Sequence, residues 1–152
     1  MTAAIAWRHA RYHDLTIDEL YRVLALRQEV FVVEQACPYL DADGRDRDAT
    51  HLWTDDADGA RALAYARLFA PGVRYVEACI GRVVTAPSTR RSGLGRALMH
   101  EAIARLHAAH GAVAIRIGAQ RYLERFYGEL GFVTASPEYL EDGIPHVEMV
   151  RS

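Results

Sequence analysis

Apolar side chains recur along this chain in two rhythms, and the switches between them mark out its elements. Leu20, Val23, Leu24, Arg27, Val30 and Phe31 follow the i, i+3, i+4 repeat of an amphipathic helix. Thr16-Ile17-Asp18-Glu19 ahead of them has the form of a capping box, so a helix is expected from about Ile17 toward Val32. Leu94, Leu98, Ala102 and Leu106 mark a second helical face, with Gly111 placed to stop it, and Arg121 to Leu130 reads as a short third helix closed by Gly131. Extended segments are expected at Ile5 to His9, His51 to Thr54, Ala60 to Phe69, Arg74 to Val84 and Val113 to Ile117. A last strand pair, Phe132 to Thr134 and His146 to Val150, is joined by a loop from Glu138 to Pro145. Cys37 to Asp48, dense in turn formers, is loop. The order β-α-β-β-β-α-β-α-β-β predicts an α/β (α+β) fold, with a mixed central sheet of six to seven strands flanked by helices.

Composition narrows this picture. At 152 residues the chain is the size of one domain, 1–152, and can bury a core. A hydrophobic share of 51% argues against disorder. The formal net charge of -2 gives no broad attraction to nucleic acid or to an anionic membrane. The apolar run from Met1 to Arg8 is too short for a secretory leader, and no segment reaches membrane-span length, so a cytoplasmic protein is expected. Cys37 and Cys79 are too few for a metal cage, and in a reducing compartment they are expected as free thiols. A symmetric dimer is the default assembly.

Between the fourth strand and the second helix lies Arg90-Arg91-Ser92-Gly93-Leu94-Gly95-Arg96. Glycines at a helix N-terminus let backbone N–H groups converge on an anion, the helix dipole adds positive character, and three arginines surround them. The spacing is neither that of a Walker A loop nor that of a dinucleotide fingerprint. Arg-x-x-Gly-x-Gly, with Pro87 ahead of it, resembles motif A of the GNAT superfamily of acyl-CoA-dependent N-acyltransferases. The element order is similar to the GNAT fold, and Phe126-Tyr127-Gly128-Glu129-Leu130-Gly131-Phe132 resembles the superfamily's Phe-Tyr-x-x-x-Gly-Phe segment. Leu26 to Gln35 with Cys37-Pro38-Tyr39, and Glu141 to His146 with Met149, resemble ElaA-type members.

The resemblance implies acetyl-CoA as co-substrate, no metal, and a primary amine on a small molecule or peptide as acceptor. It implies that Arg90, Arg91, Ser92, Gly93, Leu94, Gly95 and Arg96 hold the pyrophosphate. The backbone of Val83, Val84 and Thr85 would run beside the pantetheine and polarise the thioester carbonyl. Tyr127 would protonate the leaving thiolate, since a phenol near pKa ~10 is close to a thiol in acidity. Flanked by Phe126 and Leu130, Tyr127 also reads as a core ring. Phe126 and Gln120 are expected beside the cofactor, with Gln120 bonding a pantetheine amide.

Three general bases stay open: Glu34 after the first helix, His146 at the start of the last strand, and Glu77 on the strand beside the pantetheine; bulk water is a fourth route. Asp41-Ala42-Asp43-Gly44-Arg45-Asp46 is not a calcium loop, because a glycine at Gly44 would require acidic ligands at Tyr39 and Thr50. It reads as a solvated turn or a border to a cationic substrate. His107 and His110 lack a third zinc ligand nearby. The other class of function is a non-catalytic acyl-CoA-binding sensor or interaction module, which would have no use for Tyr127 as an acid.

Overall fold

The computed structural model describes residues 4–152, so the first residues of the N-terminal apolar run lie outside the described part. Helix α1 (Ile17–Arg27) begins at the expected box: the Thr16 hydroxyl accepts from the Glu19 amide at 3.1 Å, and the Glu19 carboxylate accepts from the Thr16 amide at 2.9 Å. Beyond Arg27 the α-helix expected to reach Val32 widens into π-helical turns over Gln28–Glu34. The amides of Gln35 and Cys37 there reach the carbonyls of Val30 and Val32, five residues back. The wider turn brings Val30, Phe31, Glu34 and Gln35 together onto one cavity wall.

The strands are β1 (Arg8–Arg11), β2 (Thr50–Asp55), β3 (Ala62–Phe69), β4 (Ala78–Thr85), β5 (Ile115–Gln120), β6 (Val133–Thr134), β7 (Tyr139–Glu141) and β8 (Ile144–Arg151). They form one mixed sheet in the order β1-β2-β3-β4-β5-β8-β6, with β7 paired to β8. Alternate residues of β3 go to opposite faces, as the pleat demands. Ala64, Ala66 and Leu68 meet Leu98, Met99, Ala102 and Leu106 of α2 (Leu94–His110), while Tyr65 on the other face joins Val23, Leu26 and Val30 of the first helix and its π-helical extension. Gly111, at φ +81°, ends α2 where expected. Among the described residues no helix is long and apolar enough to cross a membrane.

Several boundaries differ from expectation, among them β5, which is Ile115–Gln120 rather than Val113 to Ile117, and β3, which begins at Ala62 rather than Ala60. The first strand is Arg8–Arg11 rather than Ile5 to His9, because its register is set by β2, with Arg8 opposite Trp53 and Arg11 opposite Thr50. The fourth begins at Ala78 rather than Arg74. The segment read as a loop from Glu138 to Pro145 contains β7 and the start of β8, a hairpin whose turn residues Asp142 and Gly143 both have positive φ. The sheet therefore has eight strands. The third helical region is a 3₁₀ turn, Arg121–Leu123, followed by α3 (Glu124–Gly128).

Candidate active site

Strands β4 and β5 are parallel neighbours for only two registered pairs, Ala78 with Ile115 and Cys79 with Arg116. Beyond these they diverge. A bulge in β4 contributes to this: Tyr65 faces Val84 and Arg67 faces Gly81, so two β4 residues stand against Ala66 alone, and Arg82 takes φ +50°. The gap is a cavity of about 910 Å³ lined by Ile80 to Thr85 on one side and by Ile117, Gly118 and Gln120 on the other. The side of β4 facing β5 is thus a strand edge inside the molecule. Val83, Val84 and Thr85 all line it.

At one end of the cavity is the N-terminus of α2. Gly93 caps it at φ +85°, and Arg91 also has positive φ. The first-turn N–H groups have no intrahelical acceptors, and they carry the positive end of a 17-residue helix. A Cβ built on Gly95 would meet only Thr85 Cγ2, at 3.8 Å, so the protein itself has room there and the missing methyl leaves space on the cavity side. This cradle fits a pyrophosphate. Its arginines are less free than the sequence suggests. Arg90 donates two hydrogen bonds to Glu34, at 2.6 and 2.8 Å, and Arg96 bonds Glu129 at 2.6 Å while lying over the Phe126 ring. Arg91 forms no ion pair among the described residues. The Ser92 hydroxyl donates to the Thr89 carbonyl and braces the turn, and Ser92 does not line the cavity, so its side chain is not in the phosphate set.

Tyr127 lies on α3 with its ring packed edge-on to Phe126 and Phe132, at 5.1 and 6.1 Å between centroids. It is 7% exposed and lines the cavity, and its hydroxyl has no hydrogen-bond partner among the described residues. Burial pushes the phenol above its ordinary value, away from the near match to a free thiol expected from the sequence. Gln120 ends β5 and its amide lies 3.5 Å from the Gln35 side-chain oxygen, spanning the cavity between strand and π-helical turn.

The candidate bases fare differently. Glu34 is committed to Arg90, whose hydrogen bonds hold its carboxyl below the ordinary range, so the structure makes it an ion-pair partner and a poor base. Glu77 precedes β4, does not line the cavity and is paired with Arg116 at 3.1 Å, which removes it from the site. His146 lines the cavity with its Nδ1 2.7 Å from the Ile144 carbonyl. A carbonyl only accepts, so Nδ1 carries the proton and Nε2 is left as the basic nitrogen. Glu141 Oε2 is 3.4 Å from that nitrogen.

The acidic loop is neither a solvated turn nor a bare border to substrate. Arg27 donates to Asp41 at 2.7 Å and to Asp46 at 2.8 Å; Arg67 donates to Asp43 at 2.7 Å and to Asp46 at 3.0 Å. Arg82 Nε is 2.8 Å from Asp41, near enough for charge pairing but misaligned for a hydrogen bond. His51 extends the cluster to the Asp46 carbonyl and the Tyr65 hydroxyl, and burial lowers its pKa. Three cations and three carboxylates balance here, tying the loop that carries Tyr39, Leu40 and Asp43 to α1, β3 and β4. The signal was present: Arg27 sits in the apolar repeat of α1, and Arg67 in the middle of a buried strand. Cys37 and Cys79 are free and buried; burial pushes the Cys79 thiol up to about 11, while Cys37 lines the cavity and donates to the Asp142 carbonyl at 3.6 Å.

Residues 46–152 match the family described as an acetyltransferase (GNAT) domain. Protein ElaA of Escherichia coli is 36% identical over 151 residues, covering 97% of this chain and 96% of the relative. A UPF0039 protein of Synechocystis is 40% identical over 146 residues, covering 96% and 94%. The crystal structure of an acyl-CoA N-acyltransferase from Pseudomonas aeruginosa superposes with a TM-score of 0.91 at 41% identity, covering 97% of this chain and all (100%) of the other. Escherichia coli ElaA superposes with a TM-score of 0.90, covering 98% and 100%.

Proposed function

This chain belongs to the GNAT acetyltransferase family, with ElaA among its relatives, and we propose that it transfers an acetyl group from acetyl-CoA to a primary amine by direct attack of the amine on the thioester. The observation that supports the reading best is one continuous cavity that joins the α2 cradle, the open edge of β4 and the unpartnered hydroxyl of Tyr127. Bound acetyl-CoA would supply an activated acyl carbon and a thiolate leaving group.

In this reading the α2 N–H groups and Arg91 bind the pyrophosphate, with Gly93 and Gly95 allowing close approach. The backbone of Val83, Val84 and Thr85 receives the pantetheine amides as a neighbouring strand would, and Gln120 adds a side-chain amide. A β4 N–H polarises the carbonyl that becomes the oxyanion. Phe126 and Tyr127 close the inner wall and exclude water. Tyr127 donates the proton that the departing thiolate needs; its raised pKa keeps the hydroxyl protonated through the neutral range, and a thiolate desolvated in the same wall is raised with it. His146 Nε2 accepts the proton that the amine must lose.

The test is thiol release from acetyl-CoA across an amine panel by wild type and Tyr127→Phe. The ring and its packing persist in the variant, so acetyl-CoA affinity is expected to hold while kcat falls about 100- to 10,000-fold. Equal kcat values would return Tyr127 to a packing role. Acetyl-CoA binding with no thiol release from any amine would favour the sensor reading instead.

A further inference from the structure

The hairpin of β7 and β8 places Tyr139, Glu141, Ile144 and His146 on one face. Tyr139 stands opposite His146 and Glu141 opposite Ile144 in the register, and residues two apart on a strand share a side. Glu141, Ile144 and His146 all line the cavity. The imidazole is fixed from two directions: its ring stacks on Tyr139, 5.8 Å between centroids and 26° between planes, and Nδ1–H donates to the Ile144 carbonyl. Nε2 therefore cannot turn away.

In the neutral imidazole Nε2 is a hydrogen-bond acceptor, and 3.4 Å from it is Glu141 Oε2, also an acceptor. Two acceptors at that separation are matched by a cationic donor that both can share. Glu141 makes no other ion pair among the described residues, and its side chain is 57% exposed, open to the cavity rather than spent on a neighbouring arginine. This sets it apart from the carboxylates nearby: Glu34 is held by Arg90, and Asp43 by Arg67 and Arg82. Phe31, Tyr39 and Leu40 add a largely apolar surface to the same cavity.

We propose that Glu141 and His146 Nε2 together form the binding site for the acceptor's ammonium group, so that the preferred acceptors are cationic aliphatic primary amines rather than neutral arylamines. The inference rests on the acyl-transfer reading above. One N–H of the ammonium points to Glu141 Oε2 and a second to His146 Nε2. Transfer of that second proton to Nε2 leaves a neutral amine and an imidazolium paired with Glu141. The amine nitrogen then forms the C–N bond as the C–S bond breaks, the thiolate takes the Tyr127 proton, and a further proton, shed by the nitrogen as it becomes the amide, restores the phenol through solvent. The imidazolium returns its proton to solvent, so each turnover yields one amide, one thiol and one proton.

The experiment is steady-state thiol release by wild type and Glu141→Gln with benzylamine and spermidine, cations at neutral pH, and with aniline, which is neutral there, alongside calorimetric binding of spermidine to both proteins. Wild type is expected to favour the cations. Glu141→Gln, which keeps the shape and removes the charge, is expected to raise KM for the cationic amines about 10- to 100-fold, the value of a hydrogen bond to a charged group, with a smaller change in kcat. The cation-to-aniline ratio of kcat/KM falls accordingly, and Glu141→Asp recovers part of it. An unchanged ratio in Glu141→Gln overturns the proposal while leaving acyl transfer standing. If no amine releases thiol, the acyl-transfer reading fails, and spermidine binding decides the ammonium site alone: weaker binding to Glu141→Gln supports it and equal binding overturns it.

Discussion

At the rim of the cleft, Arg90–Glu34 and Arg96–Glu129 join side chains that are roughly half exposed, whereas behind the opposite wall the guanidinium groups of Arg27 and Arg67 are fully buried among Asp41, Asp43 and Asp46. Both regions pair arginines with carboxylates at similar distances, glutamates at the rim and aspartates inside, yet the consequences differ. In water an ion pair competes with hydration and is weak, so under the proposed function Arg90 and Arg96 can exchange a carboxylate for a phosphate at little cost. In the interior each charge has lost its hydration, and removing one partner leaves the other stranded. The rim is therefore built for exchange, and the buried cluster for fixing one arrangement of the loop that lines the cavity.

The largest effect is expected inside. Asp46 accepts from both Arg27 and Arg67, and Asp46→Ala should cost about 3–5 kcal/mol of folding stability, read from the shift of the urea midpoint. A loss as small as that of an exposed pair, ~0.2–1 kcal/mol, would erase the distinction between the two regions.

At the rim the expected loss is in binding and not in folding. Gly95→Val directs its side chain toward the cradle, where a Cβ meets only Thr85, and should weaken acetyl-CoA binding by roughly tenfold or more, ~1.4 kcal/mol, while the thermal midpoint stays near wild type. Unchanged affinity by calorimetry would move the pyrophosphate elsewhere.

Acid sharpens the comparison further. Burial alone would raise Asp43 and Asp46, but Arg67, the Arg45 amide and Arg82 hold Asp43 below the ordinary range, and Arg27 with Arg67 does the same for Asp46. Their stabilisation is present above the unfolded carboxylate value and is lost as pH falls through it and below. His51 is shifted down by burial, so the unfolded chain takes up its proton first, and stability begins to fall as pH drops below ~6.5. Urea midpoints from pH 8 to 3 should show a shallow decline followed by a steep one; a flat profile down to pH 4 would contradict the buried state of His51.

The smallest effect belongs to Glu34→Gln. Folding stability should change by less than ~1 kcal/mol, and the difference from wild type should vanish in molar salt, because exposed pairs are screened. Released from Glu34, Arg90 should tighten acetyl-CoA binding slightly, and weaker binding would mean that the pair positions Arg90 for the ligand.

What the sequence made legible follows from how local each signal is. The Thr16 cap, the glycine turn before α2 and the stop at Gly111 depend on neighbouring residues, and each stands where its residues predict. The β7–β8 hairpin was legible in part: Asp142-Gly143 is a strong turn signal, but the three-residue length of β7 and Pro145 near the start of β8 mask the alternation around it. The π-helical turns leave no mark, because a run of Val30, Phe31 and Val32 suits either helix. Glu34 reads as a free carboxylate until the fold brings Arg90 across 56 residues of chain. The charge cluster is harder to see, because the spacing sets Arg27 within an apolar stripe and the aspartates within a turn-rich segment; a basic residue at a core position asks where its counter-charge lies.

Because β4 and β5 separate after Cys79, the centre of this sheet holds an unpaired strand edge. Central strands are normally the last places where amide hydrogens exchange with deuterium. Here the β5-facing amides of β4 beyond Cys79 should exchange early, while those facing β3 stay protected. The slow-exchanging core then falls into two blocks, β1 to β4 and β5 with β8, and a ligand that fills the gap would fuse them into one.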